Sequence, residues 1–246
     1  MKVLITSGGT TVPIDDARRI TNMSSGRFGS EIAKAAILSQ NNVIHLYAQD
    51  SKTPFDCKLD VRKNQTSELR KVLETYEMYS NYAEYYSGRV YKTFDEYKSQ
   101  VESIIRHESP DIIILAAAVS DYGVVKSDGK ISSDLDKLNL KMEKLPKVIN
   151  RIRYWSTRSN IMGQRSYIVG FKLLCNATKE ELLEAAYKSE RLNDTDLIVA
   201  NDLKDLKNNK HKLYLVQNQQ LVKELDGDQL ASHLWVFIEN DWKNRK

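Results

Sequence analysis

The sequence predicts a Rossmann-like α/β fold: a mostly parallel sheet with helices on both faces, plus a small hairpin insertion. Two observations carry this. Short apolar, β-branched runs at 3–6, 43–48, 111–119, 167–171 and 197–200 alternate with stretches of helical periodicity. A strand–helix–strand rhythm of that kind builds parallel sheets through right-handed crossovers. The run 111–119 is also apolar at every position from 112 onward, as expected of a strand covered on both faces.

The elements follow in order. Val3, Leu4, Ile5 and Thr6 form a buried strand that stops at Ser7-Gly8-Gly9. After a loop with Pro13, Ser24-Ser25-Gly26 opens a helix over 27–39 that carries Phe28, Ile32, Ala35 and Ala36 at helical spacing. Residues 43–48 return as a strand and complete one βαβ unit. A tyrosine-rich insertion over about 66–97 starts with helical spacing at Leu69, Leu73 and Tyr76, then leaves as a surface excursion around Ser87-Gly88. Its tyrosines read as amphipathic packing or a partner surface in preference to a stacking platform for bases. Tyr97, Val101, Ile104 and Ile105 line a helix that ends before Pro110. Beyond the central strand, a polar loop with Lys126, Asp128, Gly129 and Lys130 leads to an alternating strand over 138–142. Pro146 takes the first position of a helix over 148–155. A strand at 167–171, a helix at 179–191, a strand at 197–200, a hairpin pairing 212–216 with 220–225 and an amphipathic helix at 229–242 complete the chain. With no repeat and no low-complexity linker, residues 1–246 read as one domain.

Composition narrows the class. At 41% hydrophobic and 28% charged residues, the chain is an ordinary globular protein. Its longest apolar run, 112–119, is far short of the ~20 residues of a membrane span. The first strand begins without a charged leader or an apolar signal segment. A cytoplasmic protein with no membrane association is expected. Cys57 and Cys175 lie far apart, and His45, His107, His211 and His233 lack ligand spacing. Neither a disulfide framework nor a metal site is therefore expected, and His45 and His107 read as surface or internally satisfied histidines. Lys and Arg number 37 against 33 acidic residues, a net charge of +4, and they are scattered among the acids. That reads as a mixed solvated surface with no nucleic-acid partner, and a mild positive field suits an anionic small substrate.

In an open parallel sheet, ligands bind beyond the carboxyl ends of the strands. The candidates are therefore Ser7-Gly8-Gly9-Thr10, the stretch from Asn22 to Gly26, Ala118 to Asp121, Phe171-Lys172 and Asn201-Asp202. Gly8-Gly9-Thr10 either lets backbone N–H groups approach a phosphate or serves a tight turn. Ser24-Ser25-Gly26 is either an anion site at a helix N-terminus or a simple N-cap. Asp121 either holds Mg²⁺ and contacts a nucleotide or caps the following turn. Lys130, in an Asp-Gly-Lys loop, either neutralises the charge of a phosphoryl-transfer transition state or is a solvated lysine. No Ser/His/Asp or Cys/His grouping marks a covalent nucleophile. Neither a G-x-G-x-x-G after the first strand nor a Walker motif is present.

A set of motifs then falls in a familiar order. Ile5-Thr6-Ser7-Gly8-Gly9-Thr10, Pro13-Ile14-Asp15, Arg18, Asn22-Met23-Ser24-Ser25-Gly26 and Gly29 are followed by Ala116-Ala117-Ala118-Val119-Ser120-Asp121-Tyr122 and Gly129-Lys130-Ile131. Leu145-Pro146-Lys147-Val148-Ile149, Val169-Gly170-Phe171-Lys172 and Asp196-Leu197-Ile198-Val199-Ala200-Asn201-Asp202 complete them. Together they resemble phosphopantothenoylcysteine synthetase in its free-standing form. The resemblance implies a ligase of coenzyme A synthesis. Such an enzyme activates 4′-phosphopantothenate with a nucleoside triphosphate and Mg²⁺, then joins it to L-cysteine. By matching motif, Asn22 would hold the acyl-nucleotide intermediate and Lys130 would act on it. Gly8, Gly9, Ser24, Ser25, Gly26, Ala118, Asp121, Pro146, Lys147, Val148, Ile149, Phe171 and Lys188 would contact the nucleotide. Thr10 and Arg18 would join Asn22 in binding substrate, and Asp121 would be the metal contact. A homodimer is implied, with the hairpin over about 212–225 as its candidate element.

Three departures from the family pattern stand out. Lys130-Ile131-Ser132-Ser133 replaces a lysine-rich stretch and the second basic position after Lys188 has no clear match, and the flavin-dependent decarboxylase domain that often precedes this one in the family is expected to be absent. No flavin and no decarboxylation are expected. Bacterial members use CTP and animal members ATP; CTP is favoured here, with ATP the alternative. The rival reading is a nucleotide-binding module or NAD(P) oxidoreductase. Asp50 sits roughly where that reading needs an acid, but the glycine pattern is wrong. A third reading, a basic RNA-binding protein, predicts binding with a steep salt slope.

Overall fold

The computed structural model describes residues 1–56, 66–134, 136–159, 165–207 and 212–245. In order, the chain forms β1 (Lys2–Ser7), β2 (Thr11–Pro13), β3 (Arg19–Thr21), α1 (Arg27–Leu38), β4 (Asn42–Ala48), α2 (Thr66–Tyr82), β5 (Tyr86–Tyr91), α3 (Phe94–Glu108), β6 (Ile112–Leu115) and β7 (Tyr122–Val124). It continues with β8 (Met142–Lys144), α4 (Ile149–Ser159), β9 (Tyr167–Leu174), α5 (Lys179–Asn193), β10 (Leu197–Asp202), α6 (Leu203–Lys207), β11 (Lys212–Gln217), β12 (Gln220–Asp226) and α7 (Leu230–Asn244).

Eight strands make one sheet in the order β12-β11-β10-β9-β6-β1-β4-β5. The six from β5 to β10 run parallel, and the β11–β12 hairpin adds two antiparallel strands at one edge. Two-residue alternation sorts the core into layers. Val3, Ile5, Val43, Ile112, Ile114, Val169 and Val199 meet α1 and α7, whose Ile32, Ile37, Leu234 and Trp235 are buried there. Leu4, Leu46, Ile113, Leu115 and Ile168 point the other way, onto α3 and α4. Ile198 and Ala200 meet Leu182 and Ala186 of α5 on that same face. Thr178 and Glu181 form a reciprocal capping box at the start of α5, which sets where that helix begins.

Four expectations are corrected. Ser87 and Gly88 lie inside β5, paired with Ile44 and His45 as a parallel edge strand; the pairing energy comes from β4, which local composition does not show. The strand expected over 138–142 begins only at Met142, where β8 can pair with β7. Pro146 precedes α4 by a turn built by Asn150 N–H donating to Lys147 O and Arg151 N–H to Val148 O, so it is not the first helical residue. The central strand stops at Leu115, and its continuation crosses to Gly9 through a single bridge at Ala118. Cys57 and His211 lie outside the described residues, and Cys175 is a free, exposed thiol. Among the described residues no helix is long and apolar enough to cross a membrane.

His45 is an internally satisfied histidine. It is fully buried on β4, with Nε2 2.7 Å from Ser7 Oγ and Nδ1 3.4 Å from the Tyr86 hydroxyl, and its ring stacks on Tyr47 at 5.1 Å. Burial pushes the imidazole down to about 3 from the ordinary 6.5. The unfolded chain therefore binds a proton that the folded one refuses between these values. His45 thus contributes stability that is fully present above pH 6.5 and lost as pH falls toward 3, with a slope of at most about 1.4 kcal/mol per pH unit. Asp15, whose carboxylate is held low mainly by the Arg18 guanidinium, adds to the loss only below about pH 4. Chemical denaturation between pH 6.5 and 5 should show this slope in the native protein and not in His45→Gln. An equal slope in both would contradict the assignment.

Candidate functional site

The chain leaves β1 toward β4 on one side and re-enters through β6 on the other, so the strand order reverses between β1 and β6. Open α/β sheets bind ligands at that point, beyond the carboxyl ends of the strands. Here the two strand ends are stitched together. Gly8 takes φ 85°, a conformation that glycine adopts without the penalty of a side chain. Its carbonyl accepts Ala118 N–H at 2.7 Å, and Thr10 N–H donates to Ala118 O at 3.1 Å. Asn22, at the end of β3, folds over this junction. Its Nδ2 donates to Ala118 O at 3.0 Å, and Ser24 N–H donates to its backbone carbonyl at 2.9 Å. Gly26, in the left-handed conformation, begins α1 with no side-chain cap bond. The serine hydroxyls touch the neighbouring amides only at 3.4 Å. The N-terminal donors and positive dipole end of α1 therefore face the crevice without a firm capping group, an arrangement suited to an anion.

Across the crevice, Asp121 follows β6 and forms an ion pair with Lys147, while Leu145 N–H donates to the Asp121 carbonyl at 2.8 Å. This lays Pro146, Lys147, Val148 and Ile149 along the α4 face of the β6 and β9 ends. Phe171 stands on the opposite face, its ring edge-on to Phe28 of α1 at 6.1 Å. Gly8, Gly9, Thr10, Asn22, Ser24, Ser25, Gly26 and Ala118 thus converge, flanked by Asp121, residues 146–149 and Phe171.

Lys130 is exposed and its loop is fixed from beneath. Gly129 N–H donates to Asp16 Oδ2 at 3.0 Å and Ile131 N–H to Asp15 Oδ2 at 3.1 Å. Arg18 grips Asp15 through Nε at 2.9 Å and a terminal nitrogen at 2.6 Å, and donates to Ile131 O at 2.6 Å. The Arg18 guanidinium is thereby committed to holding the loop. Asp16 is likewise held below the usual carboxylate range, chiefly by its bond from Lys126. Arg18 and Asn22 flank the three residues of β3, roughly 13 Å apart along the strand. Lys188 is not brought to the crevice. It lies on the outward face of α5 one half-turn from Glu190, whose carboxylate receives Asn218 and Gln219 N–H at 2.6 and 2.8 Å. That turn lies at the amino ends of the strands, because β11 runs antiparallel to β10.

Among the described residues no three His, Cys, Asp or Glu side chains gather as a metal cage. Mg²⁺ carried on nucleotide phosphates needs one or two carboxylates and no cage, and Asp121, half exposed beside the crevice, fits that need. Asp50 follows β4, where a dinucleotide enzyme would keep its ribose acid, but it is paired with Arg19 at 2.8 Å. A larger surface groove between β12 and α7, lined by Lys223, Val236 and Phe237, lies away from the strand ends. Sequence reading passed over Asp16 as a loop anchor and Ser120 as a partner of Asn22. Their contacts are 113 and 98 residues away in the chain, and no local pattern announces them.

The family model described as DNA/pantothenate metabolism flavoprotein C-terminal domain matches residues 1–88 and 90–240. The chain is 30% identical over 241 residues to the coenzyme A biosynthesis bifunctional protein CoaBC of Thermococcus kodakarensis, covering 97% of this chain and 51% of that protein. It is 27% identical over 204 residues to the phosphopantothenate–cysteine ligase CAB2 of Saccharomyces cerevisiae, covering 65% of this chain and 56% of that protein. The chain thus spans about half the length of the curated relatives it matches. A solved structure of a Cab2 mutant in complex with phosphopantothenate-cysteine superposes with a TM-score of 0.82 at 24% identity, over 99% of this chain and 86% of that one, a likeness of fold.

Proposed function

The chain belongs to the DNA/pantothenate metabolism flavoprotein C-terminal domain family, and from that membership and its crevice we propose that it is a phosphopantothenate–cysteine ligase of coenzyme A synthesis. The observation that carries the reading is the junction at the strand-order reversal. There the glycine turn and the Asn22 carboxamide are bonded together through Ala118, at a point beside the start of α1, which has no side-chain cap. Such a point suits the two anionic ligands of this reaction, and a solved relative named for its complex with phosphopantothenate-cysteine shares the fold.

In the proposed reaction the carboxylate of 4′-phosphopantothenate attacks the α-phosphorus of CTP, the bond to pyrophosphate breaks, and an acyl-CMP forms. The amine of L-cysteine then attacks the acyl carbon, CMP leaves with the electron pair, and an amide results. The protein supplies no nucleophile, because activation takes place on the substrate. Gly8, Gly9, Ser24, Ser25 and Gly26 would cradle the anionic groups and Thr10 would border the substrate. The Asn22 N–H would hold the acyl-nucleotide, with Asp121, Ala118, residues 146–149 and Phe171 about the nucleotide. Lys130 would neutralise the developing charge from a loop that Arg18 keeps in place. Asp121 would hold Mg²⁺, which would neutralise part of the phosphate charge. No step is a redox step, so no flavin is required. A homodimer belongs to the same proposal, with the open edge of β12 as the surface on which a second copy would pair.

Mass-spectrometric detection of 4′-phosphopantothenoylcysteine, with CTP and ATP compared at equal concentration, tests the nucleotide. The proposal predicts faster product formation with CTP. A clear preference for ATP would reverse the nucleotide assignment and leave the ligase intact.

A further inference from the structure

A carboxamide presents two chemically opposite ends, and a ligand meets a donor only if something inside the protein holds the oxygen end away. Around Asn22 the internal contacts form a directed chain. Ser120 N–H donates to Thr10 Oγ1 at 2.8 Å. Thr10 Oγ1 and Ser120 Oγ lie 2.9 Å apart, and Ser120 Oγ donates to Asn22 Oδ1 at 3.4 Å. When the Ser120 hydroxyl donates to Asn22, the proton between the two hydroxyls comes from Thr10. Asn22 Nδ2 in turn donates one proton to Ala118 O at 3.0 Å. Thr10 is fully buried and Ser120 is 8% exposed, so solvent does not readily stand in for either hydroxyl. Asn22 thus has one remaining Nδ2 proton to offer the crevice, while its oxygen is turned toward Ser120.

We propose that Ser120, set by Thr10, is a positioning residue that fixes the orientation of the Asn22 carboxamide, so that it meets a ligand oxygen as a donor. The inference rests on the ligase reading for its consequence: the oxygen received there belongs to the acyl-nucleotide, and a carboxamide free to turn would present its own oxygen to an electron-rich group. Losing one such hydrogen bond weakens the hold by about tenfold.

The test uses the full chain with Ser120→Ala, Thr10→Val and Ser120→Thr, the last keeping a hydroxyl. Pyrophosphate released and amide formed are counted in the same reaction with 4′-phosphopantothenate, nucleotide, Mg²⁺ and cysteine. Expected is a drop of about tenfold in amide formed per pyrophosphate in Ser120→Ala and in Thr10→Val, since a loosely held acyl-nucleotide is lost to water. The double variant should be no worse than either single one, because the two hydroxyls act as one chain, and Ser120→Thr should recover most of the ratio. A fall of both yields together with an unchanged ratio overturns the inference. Solvent exchange of the Asn22 side-chain NH₂, followed by NMR without ligands, separates this failure from that of the ligase reading. It should quicken in Ser120→Ala whatever the protein catalyses, and unchanged exchange overturns the positioning role even if the ligase reaction is found.

Discussion

Replacing Lys130 with glutamine should lower the turnover of amide formation by about 10²-fold or more, the cost of removing one charge contact made in a transition state. The fold should not suffer, because the side chain is exposed and the loop is held through the neighbouring backbone groups of Gly129 and Ile131. Affinity for 4′-phosphopantothenate, measured by calorimetry, should stay within a few-fold, since the proposed role is exerted on charge that develops during phosphoryl and acyl transfer. A turnover within a few-fold of the native value would remove Lys130 from the chemistry. It would leave the loop's anchorage by Asp15, Asp16 and Arg18 as an unexplained feature.

The second large effect is expected from Gly9→Ala. A Cβ on residue 9 would stand 2.5 Å from the backbone carbonyl oxygen of Asn22, closer than any nonbonded contact allows, and the obstacle is backbone that cannot rotate aside. The end of β3 must then move off the junction, taking the carboxamide with it. A displacement near 1 Å at a positioned group costs about 10²-fold in rate. Circular dichroism should remain native-like, because the main sheet registers β1 with β4 and β6 through residues 2–7, short of Gly9. Native activity in a folded Gly9→Ala protein would mean that Asn22 does not need its close approach to the glycine turn.

How far the sequence anticipated these features depended on whether their causes are local. Strands β1, β4, β9 and β10 are apolar on both faces because helices cover both sides, and that pattern is visible residue by residue. β5 was misread because Ser87 and Gly88 are turn-forming residues; only the parallel pairing with β4 makes them strand. The same holds for the site. Residues just after β1 and β6 meet by topology alone, so the approach of Gly8, Gly9 and Thr10 to Ala118 was predictable once the strands were placed. Helix direction undid Lys188: α5 descends from the carboxyl end of β9 toward the amino end of β10, and a residue in its second half is carried away from the crevice. The anchorage of the Lys130 loop by Asp15, Asp16 and Arg18 depends on contacts spanning more than 110 residues, which spacing along the chain does not disclose.

The most direct test of the central claim is pyrophosphate release by the purified protein with CTP and Mg²⁺, with and without 4′-phosphopantothenate, before cysteine is added. The account predicts a burst of pyrophosphate that requires 4′-phosphopantothenate and a steady rate only once cysteine is supplied, since the acyl-nucleotide waits at Asn22 for the amine. Absence of 4′-phosphopantothenate-dependent release with CTP, and with ATP in its place, would contradict the ligase and leave a nucleotide-binding fold whose crevice serves another reaction.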